Sequence, residues 1–416
     1  VNEKEKIAIV GINGSGKTTL LKIIMGEESA DSGQVVIAKD TTIGYLSQHQ
    51  DISFDNTIYG EMLATKQYIL DLEANIRRLE QDMKHAEGEE LEKILETYNR
   101  LSSKYDRDNG YSYESEITGV LKGLGFGPED YDRHINTLSG GQKMRIALGR
   151  LLLTRPDIII LDEPTNHLDM PSISWLESFL SSYPGSVIVV SHDRYFIDRI
   201  ATQIVEIDNK KATVYHGNYT YFASKRAEIR ANMMKAYLNQ QQEIKHQEAV
   251  ITKLKQFNRE KSIKRAESRE KMLDKIEVLD KPTEVASEMR LTLEPSVESG
   301  NDVLTVTHLA KSFGTNCLFQ DLDFDIKRGE KVALIGGNGT GKTTILKMVN
   351  HLVPKDAGTI ALGSRVHIGY YDQEHQVLSL HKTIFEEISD AYPDLTNTKI
   401  RNVLAAFLFT GDDVFK

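Results

Sequence analysis

One cysteine, Cys317, stands among 416 residues. That scarcity excludes an internal disulfide framework, an iron–sulfur cluster held by this chain's cysteines alone, and any zinc site built from several cysteines. Cys317 reads as a small buried apolar residue. No run of about 18 apolar residues occurs, so the sequence offers no transmembrane helix, and no charged-then-apolar leader opens it. A net charge of −10 excludes wholesale coating of nucleic acid, so any basic contact surface has to be local. What is present, 40% hydrophobic and 27% charged residues, fits a globular cytosolic protein. Its length calls for more than one domain, each large enough to bury a core.

The chain repeats itself. Lys6-Ile7-Ala8-Ile9-Val10-Gly11 recurs as Lys331-Val332-Ala333-Leu334-Ile335-Gly336, a spacing of 325 residues that also carries Lys17 to Lys342, Asp31 to Asp356, Gly44 to Gly369 and Gln48 to Gln373. Two homologous halves are therefore expected. The register then breaks: Thr57-Ile58 matches Thr383-Ile384, but Val120-Leu121 matches Val403-Leu404 at only 283, leaving 43 extra residues in the first half. Within them Ile69, Leu72, Ile76, Leu79 and Met83 form a helical seam, and Leu91, Ile94, Tyr98 and Leu101 form another after Gly88. The pattern predicts an antiparallel helical hairpin at about residues 61–105. Its alternative is a packing hairpin with no partner. The Leu138-Ser139-Gly140-Gly141-Gln142 run should recur near position 421, past Lys416, so the chain reads as a fragment of a longer polypeptide.

Gly11-Ile12-Asn13-Gly14-Ser15-Gly16-Lys17-Thr18 and Gly336-Gly337-Asn338-Gly339-Thr340-Gly341-Lys342-Thr343, followed by Thr19 and Thr344, each fit the phosphate-loop pattern. Each is expected to follow an apolar strand and open a helix. The glycines turn backbone N–H groups around phosphates, and the helix N-terminus adds its positive dipole end. Lys17 and Lys342 would neutralise β and γ oxygens of ATP, while Thr18 and Thr343 would hold Mg²⁺. An apolar strand at residues 158–161 then delivers Asp162, placed for Mg²⁺, and Glu163, placed for an attacking water. A strand at 187–190 delivers Ser191-His192 to the same constellation.

Leu138 to Gln142, Leu161-Asp162-Glu163-Pro164-Thr165-Asn166-His167-Leu168-Asp169 and Ser191-His192-Asp193-Arg194 together resemble the nucleotide-binding domain of the ABC superfamily. The resemblance implies an α/β fold of two P-loop NTPase domains in tandem, joined by a helical-hairpin linker. Their boundaries are 1–222, 223–290 and 300–416, the last being an incomplete second domain. It implies head-to-tail pairing, each ATP lying between one half's phosphate loop and the other's signature. By position, Gln48 and Gln373 would watch Mg²⁺ and water. Ser139, with Gly140, Gly141 and Gln142, would close over the partner's ATP; Glu163 would be the general base, Asp169 the end of the interface loop, and His192 the γ-phosphate grip. Phe313, 29 residues before Lys342, is a candidate to stack on adenine, the alternative being a core phenylalanine. With each composite site short of a component, hydrolysis by this chain alone is expected to be strongly impaired.

Between the halves, residues 221–281 contain neither glycine nor proline and read as long helix up to Pro282. Between Lys253 and Arg265 six basic residues, Lys253, Lys255, Arg259, Lys261, Lys264 and Arg265, stand against one acid, Glu260, with a turn expected beside Phe257 and Asn258. Such a run is either a solvated helix face or a sequence-independent phosphate contact. The Glu163 to Asp169 motif, Ser191 to Phe196, and the segment Lys261 to Lys275, which includes Arg269, resemble the ABC-F family. That resemblance implies an ATP-gated translation factor whose linker reaches rRNA and the peptidyl-site tRNA, and whose hairpin insertion is the family's arm. The alternatives are a factor that dislodges ribosome-bound antibiotics, an ATPase subunit of a membrane transporter, and a nucleotide-binding scaffold without turnover.

Overall fold

A computed structural model describes residues 2–47, 55–208, 210–256, 267–269, 271–273, 297–314, 316–371, 378–379, 381–407, 409 and 411–416. The chain forms two compact units, Val1–Glu228 and Ile229–Lys416. Among the described residues no helix is long and apolar enough to cross a membrane.

In the first unit, runs of β-branched residues become parallel strands. β1 (Lys6–Gly11), β2 (Ile43–Leu46), β3 (Ile158–Asp162), β4 (Ser186–Val190) and β5 (Gln203–Asp208) lie in the order β2-β3-β4-β1-β5, and antiparallel β6 (Lys211–His216) closes the edge. Side chains alternate across the sheet. Ala8, Ile159, Leu161, Val187 and Val189 join one buried cluster with Leu121, Leu152, Leu176 and Phe196, while Ile9, Ile160, Ile188 and Val190 join another with Leu21. Both faces are therefore covered, which is why these strands read as continuous apolar runs. Helix α1 (Lys17–Met25) covers the second face, its Leu21 fully buried.

Helix α2 (Ile58–Ala64) buries Met62 in the main core, so the arm itself starts later than expected, as α3 (Gln67–Asp82) and α4 (Glu89–Arg107). Ile69, Leu72 and Tyr105 are buried between these helices against Ile76 and Leu101. Lys66 Nζ ties their root to α5 (Tyr113–Gly123) through Glu116 Oε2 at 2.9 Å, and donates to Leu153 O at 3.2 Å at the end of α6 (Gly140–Thr154). Helix α7 (Met170–Ser182) follows β3, and α8 (Arg194–Ile200) follows β4.

Helix α9 (Tyr219–Gln256) begins the linker. Arg226 Nε lies 2.5 Å from buried Glu206 Oε1, and Tyr215 donates to the other oxygen of Glu206, so the first turns of α9 are tied to β5 and β6. Arg269 Nη1 donates to Gln247 Oε1 at 2.5 Å, which brings the segment 267–269 beside α9. Arg259, Lys261, Lys264 and Arg265 lie outside the described residues, as does the expected turn.

The second unit contains a three-stranded antiparallel sheet in the order β8 (Asn316–Lys327), β7 (Asp302–Phe313), β9 (Ala357–Leu362). Two expectations are corrected here. The strand predicted before the second phosphate loop does not form: residues 331–337 belong to no ladder, and Ile335 is 90% exposed. In the first half, β1 takes every ladder hydrogen bond from β4 and β5; among the described residues no strand lies beside 331–337 to do the same. Cys317 is exposed, because it sits beside the turn between β7 and β8 where the strand leaves the core.

Candidate functional site

Three neighbouring strands, β3, β4 and β1, end side by side and place their following residues around one cleft. In parallel sheets the C-terminal strand ends are where ligands sit, since the strands' hydrogen bonds end there and loops splay apart. The cleft holds about 520 Å³ and is lined by Asn13, Gly14, Gly16, Lys17, Thr18, Thr19, Asp162, Glu163, Asn166, Val190 and His192.

The loop after β1 is held open by glycine. Gly14 and Gly16 take φ values of 78° and 92°, and a Cβ at either would meet no atom within 4 Å, so the requirement is conformational. Gly11 is different: a Cβ there would lie 2.6 Å from Ile207 O and 2.6 Å from Ser15 Oγ. Lys17 Nζ donates to Gly11 O at 2.9 Å and Ile12 O at 3.0 Å, folding the amine back over its own loop. Burial lowers its pKa, while Glu163 and Asp162 pull the other way. Ser15 Oγ is buried without a hydrogen-bond partner.

Opposite stand the carboxylates. Thr18 Oγ1 donates to Asp162 Oδ2 at 3.0 Å, so the two oxygens that fit one Mg²⁺ already adjoin. Glu163 holds a positive φ of 52°, an uncommon conformation for a non-glycine residue and one concentrated at functional sites. Its N–H donates to Val190 O at 2.8 Å, its Oε2 accepts from His192 N at 3.2 Å, and His192 Nε2 lies 3.6 Å from Oε1. That Oε1 is buried and makes no hydrogen bond. A cradle of N–H groups and a lysine facing two carboxylates, with orphaned oxygens on both sides, fits a magnesium-bound polyphosphate.

Burial raises the Glu163 pKa above the ordinary carboxylate value, the His192 N–H opposing it. The folded chain therefore favours the protonated form: the cost of ionising Glu163 is absent below the ordinary carboxylate pKa and grows as pH rises through the raised one. Glu163→Gln is expected to raise the melting temperature at neutral pH, with the gain shrinking toward pH 4. A gain that stays constant across that range would mean the carboxylate is not the source.

Ser139 caps α6: its Oγ accepts from Gln142 N at 3.3 Å and Gln142 Oε1 accepts from Ser139 N at 3.1 Å, a reciprocal box that leaves Gly140 exposed and Gly141 half-buried at the helix N-terminus. Among the described residues, those that line the Lys17 cleft do not include this run. Asp169 caps α7 through Ser172 N at 3.1 Å. Asn166, which lines the cleft, and His167, which would lie 3.4 Å from a Cβ on Gly141, are marked in the sequence only by their place within the Glu163 to Asp169 run.

In the second unit the phosphate loop has the same local shape. Gly339 and Gly341 take φ values of 81° and 92°, Lys342 Nζ donates to Gly336 O at 2.8 Å and Gly337 O at 2.5 Å, and Lys342–Val349 forms helix α10 bearing Thr343 and Thr344. Thr340 Oγ1 donates to Gly337 O at 2.9 Å. Phe313 is 54% exposed, against its reading as a core residue. Gln48 and Gln373 lie outside the described residues.

The fold and this site define a P-loop nucleotide-binding module of the ABC type. A family profile described as ABC transporter matches residues 1–166 and 319–412, and a second so described matches 205–291. The chain is 43% identical over 417 residues to the putative ATP-binding protein YdiF of Bacillus subtilis, covering 100% of this chain and 65% of that protein. It is 34% identical to ABC transporter F family member 5 of Arabidopsis thaliana, covering 99% and 60%. It is 32% identical to the energy-dependent translational throttle protein EttA of Mycobacterium tuberculosis, covering 98% and 72%. The chain belongs to the ABC transporter family of ATPase domains and, within it, to the ABC-F family. It spans a little under two thirds of the first two relatives' length.

Proposed function

We propose that the full-length protein is a cytoplasmic ATPase whose two halves close on ATP and thereby gate its hold on the ribosome. The observation that carries the nucleotide chemistry is the convergence of Lys17, Thr18, Asp162, Glu163 and His192 on one cleft. Lys17 exchanges its two loop carbonyls for β and γ phosphate oxygens. Thr18 and Asp162 hold Mg²⁺, which when bound neutralises phosphate charge. Glu163 takes a proton from the attacking water, and His192, braced by its N–H bond to Glu163, holds the γ-phosphate. Gln48 and Gln373 watch metal and water in their respective sites. The capped N-terminus of α6 presents Ser139, Gly140 and Gly141 to the other half's ATP, and Phe313 stacks on the adenine held by Lys342.

Closure matters only if ATP binds the closed state better than the open one, so the coupling runs through the sandwiched γ-phosphates. The ribosomal reading is supported by the ABC-F membership, by a relative named for throttling translation, and by a basic stretch at the end of α9 in an acidic protein. Lys253 and Lys255 are exposed there, and Arg269 lies beside α9 through its bond to Gln247. The expected contacts are with rRNA and tRNA phosphates. The test is ribosome co-sedimentation of the full-length protein, with and without ATP, across a salt series. Binding is expected to require ATP and to fall with a log–log salt slope of about −4 to −5 if all six basic residues engage phosphates. Lys253→Gln should make that slope shallower by about 1. Equal pelleting without ATP, or recovery in the membrane fraction instead, would contradict the proposal.

A further inference from the structure

Phe313 ends β7 with its ring half exposed, yet the residues beside it are tightly held. Lys311 is 6% exposed and reaches Asp356 Oδ1 with its Nζ at 2.6 Å. The other oxygen, Asp356 Oδ2, accepts from Ser312 N at 2.7 Å, so one carboxylate grips both residues that precede Phe313. The Lys311 ammonium then lies 5.1 Å from the Phe313 ring centroid. Asp356 is itself fixed by its N–H bond to Ala310 O at 3.1 Å, where β9 meets β7.

The same strand pair touches the phosphate loop. Lys311 stands opposite Phe319 across β7 and β8, and the Phe319 ring packs against the loop so closely that a Cβ on Gly341 would lie 2.9 Å from it. Lys311 is thus one strand away from the residue that opens α10. A cation held against an aromatic ring orients it and is attracted to its π face. A buried lysine spent on this task, with its carboxylate partner also bonding Ser312, restricts where an exposed ring can point.

We propose that the Lys311–Asp356 pair is the positioning device for Phe313 as the purine platform of the Lys342 site. The proposal rests on the reading of Phe313 as the adenine-stacking residue. Lys311 and Asp356 touch no phosphate in it; they act through the ring. The site then recognises the base and the triphosphate by separable means.

The test uses the full-length protein carrying Lys17→Ala, which confines tight binding to the Lys342 site, titrated with ATP and with inorganic tripolyphosphate. Phe313→Ala is expected to weaken ATP binding by about tenfold, the scale of one stacked base. Lys311→Met, which keeps the buried stem, and Asp356→Asn should each weaken it by about threefold. Tripolyphosphate affinity should stay unchanged in all three, and Lys311→Arg should retain ATP affinity. Equal losses for both ligands in Lys311→Met and Asp356→Asn would show that the pair only supports the fold, and would overturn the proposal. So would unchanged ATP affinity in those two variants while Phe313→Ala loses it. If Phe313→Ala leaves the ratio of the two affinities untouched, the platform reading itself fails, and the proposal with it.

Discussion

Glu163→Gln in the full-length protein is expected to lower ATP turnover by about 10²- to 10⁴-fold, the usual contribution of a positioned general base, while nucleotide still binds. Glutamine keeps the length and the acceptor for His192 N, so the strained turn at φ 52° and the contact to Val190 O persist. Only the proton acceptor is lost. With hydrolysis blocked, the ATP-closed state accumulates, and the variant should remain on ribosomes with ATP under conditions where the unmodified protein leaves. Single-turnover hydrolysis and ribosome pelleting measure the two halves of this result. Turnover within about threefold of the parent would remove Glu163 from the chemistry.

Lys17→Ala should weaken ATP binding at the first site by about tenfold to a hundredfold, the range for a hydrogen bond to a charged group. The fold should tolerate it, because the amine bonds only to the carbonyls of Gly11 and Ile12 in its own loop. Fluorescent-nucleotide titration alongside Lys342→Ala separates the two sites. A first site that keeps full affinity without Lys17 would mean that the glycine cradle does not hold a triphosphate.

Much of this site was legible beforehand because its parts are local. A phosphate loop needs glycines at fixed offsets and a helix at its end, and both are properties of a short stretch of chain. The strand-end positions of Asp162, Glu163 and His192 followed likewise from apolar runs giving way to polar residues. That those three residues meet Lys17 was not readable from spacing. It depends on the sheet order, in which β1 inserts beside β4 rather than β2. The left-handed conformation of Glu163 and the Lys311–Asp356 grip on Phe313 were equally silent, since they join positions that only folding makes neighbours. The arm's seams were clear as helices, but their start was set by Met62, which the main core claims for α2.

The duplication separates the two kinds of information. Matching glycines adopt matching angles in both halves: Gly14 and Gly339 at 78° and 81°, Gly16 and Gly341 both at 92°, Gly33 and Gly358 both at 87°. These turns are written in the residues, because a few atoms of local sterics decide them. Strands are not. Lys6–Gly11 is β1, with Ile7 7% and Ile9 3% exposed, while its repeat leaves Val332 54% and Leu334 39% exposed and unpaired. Conversely, Ala357–Leu362 is β9 against β7, while the matching residues 32–37 have no ladder and expose Val36. The same apolar pattern is a strand where another strand supplies its hydrogen bonds and forms no ladder where none does, since a strand cannot satisfy its own backbone.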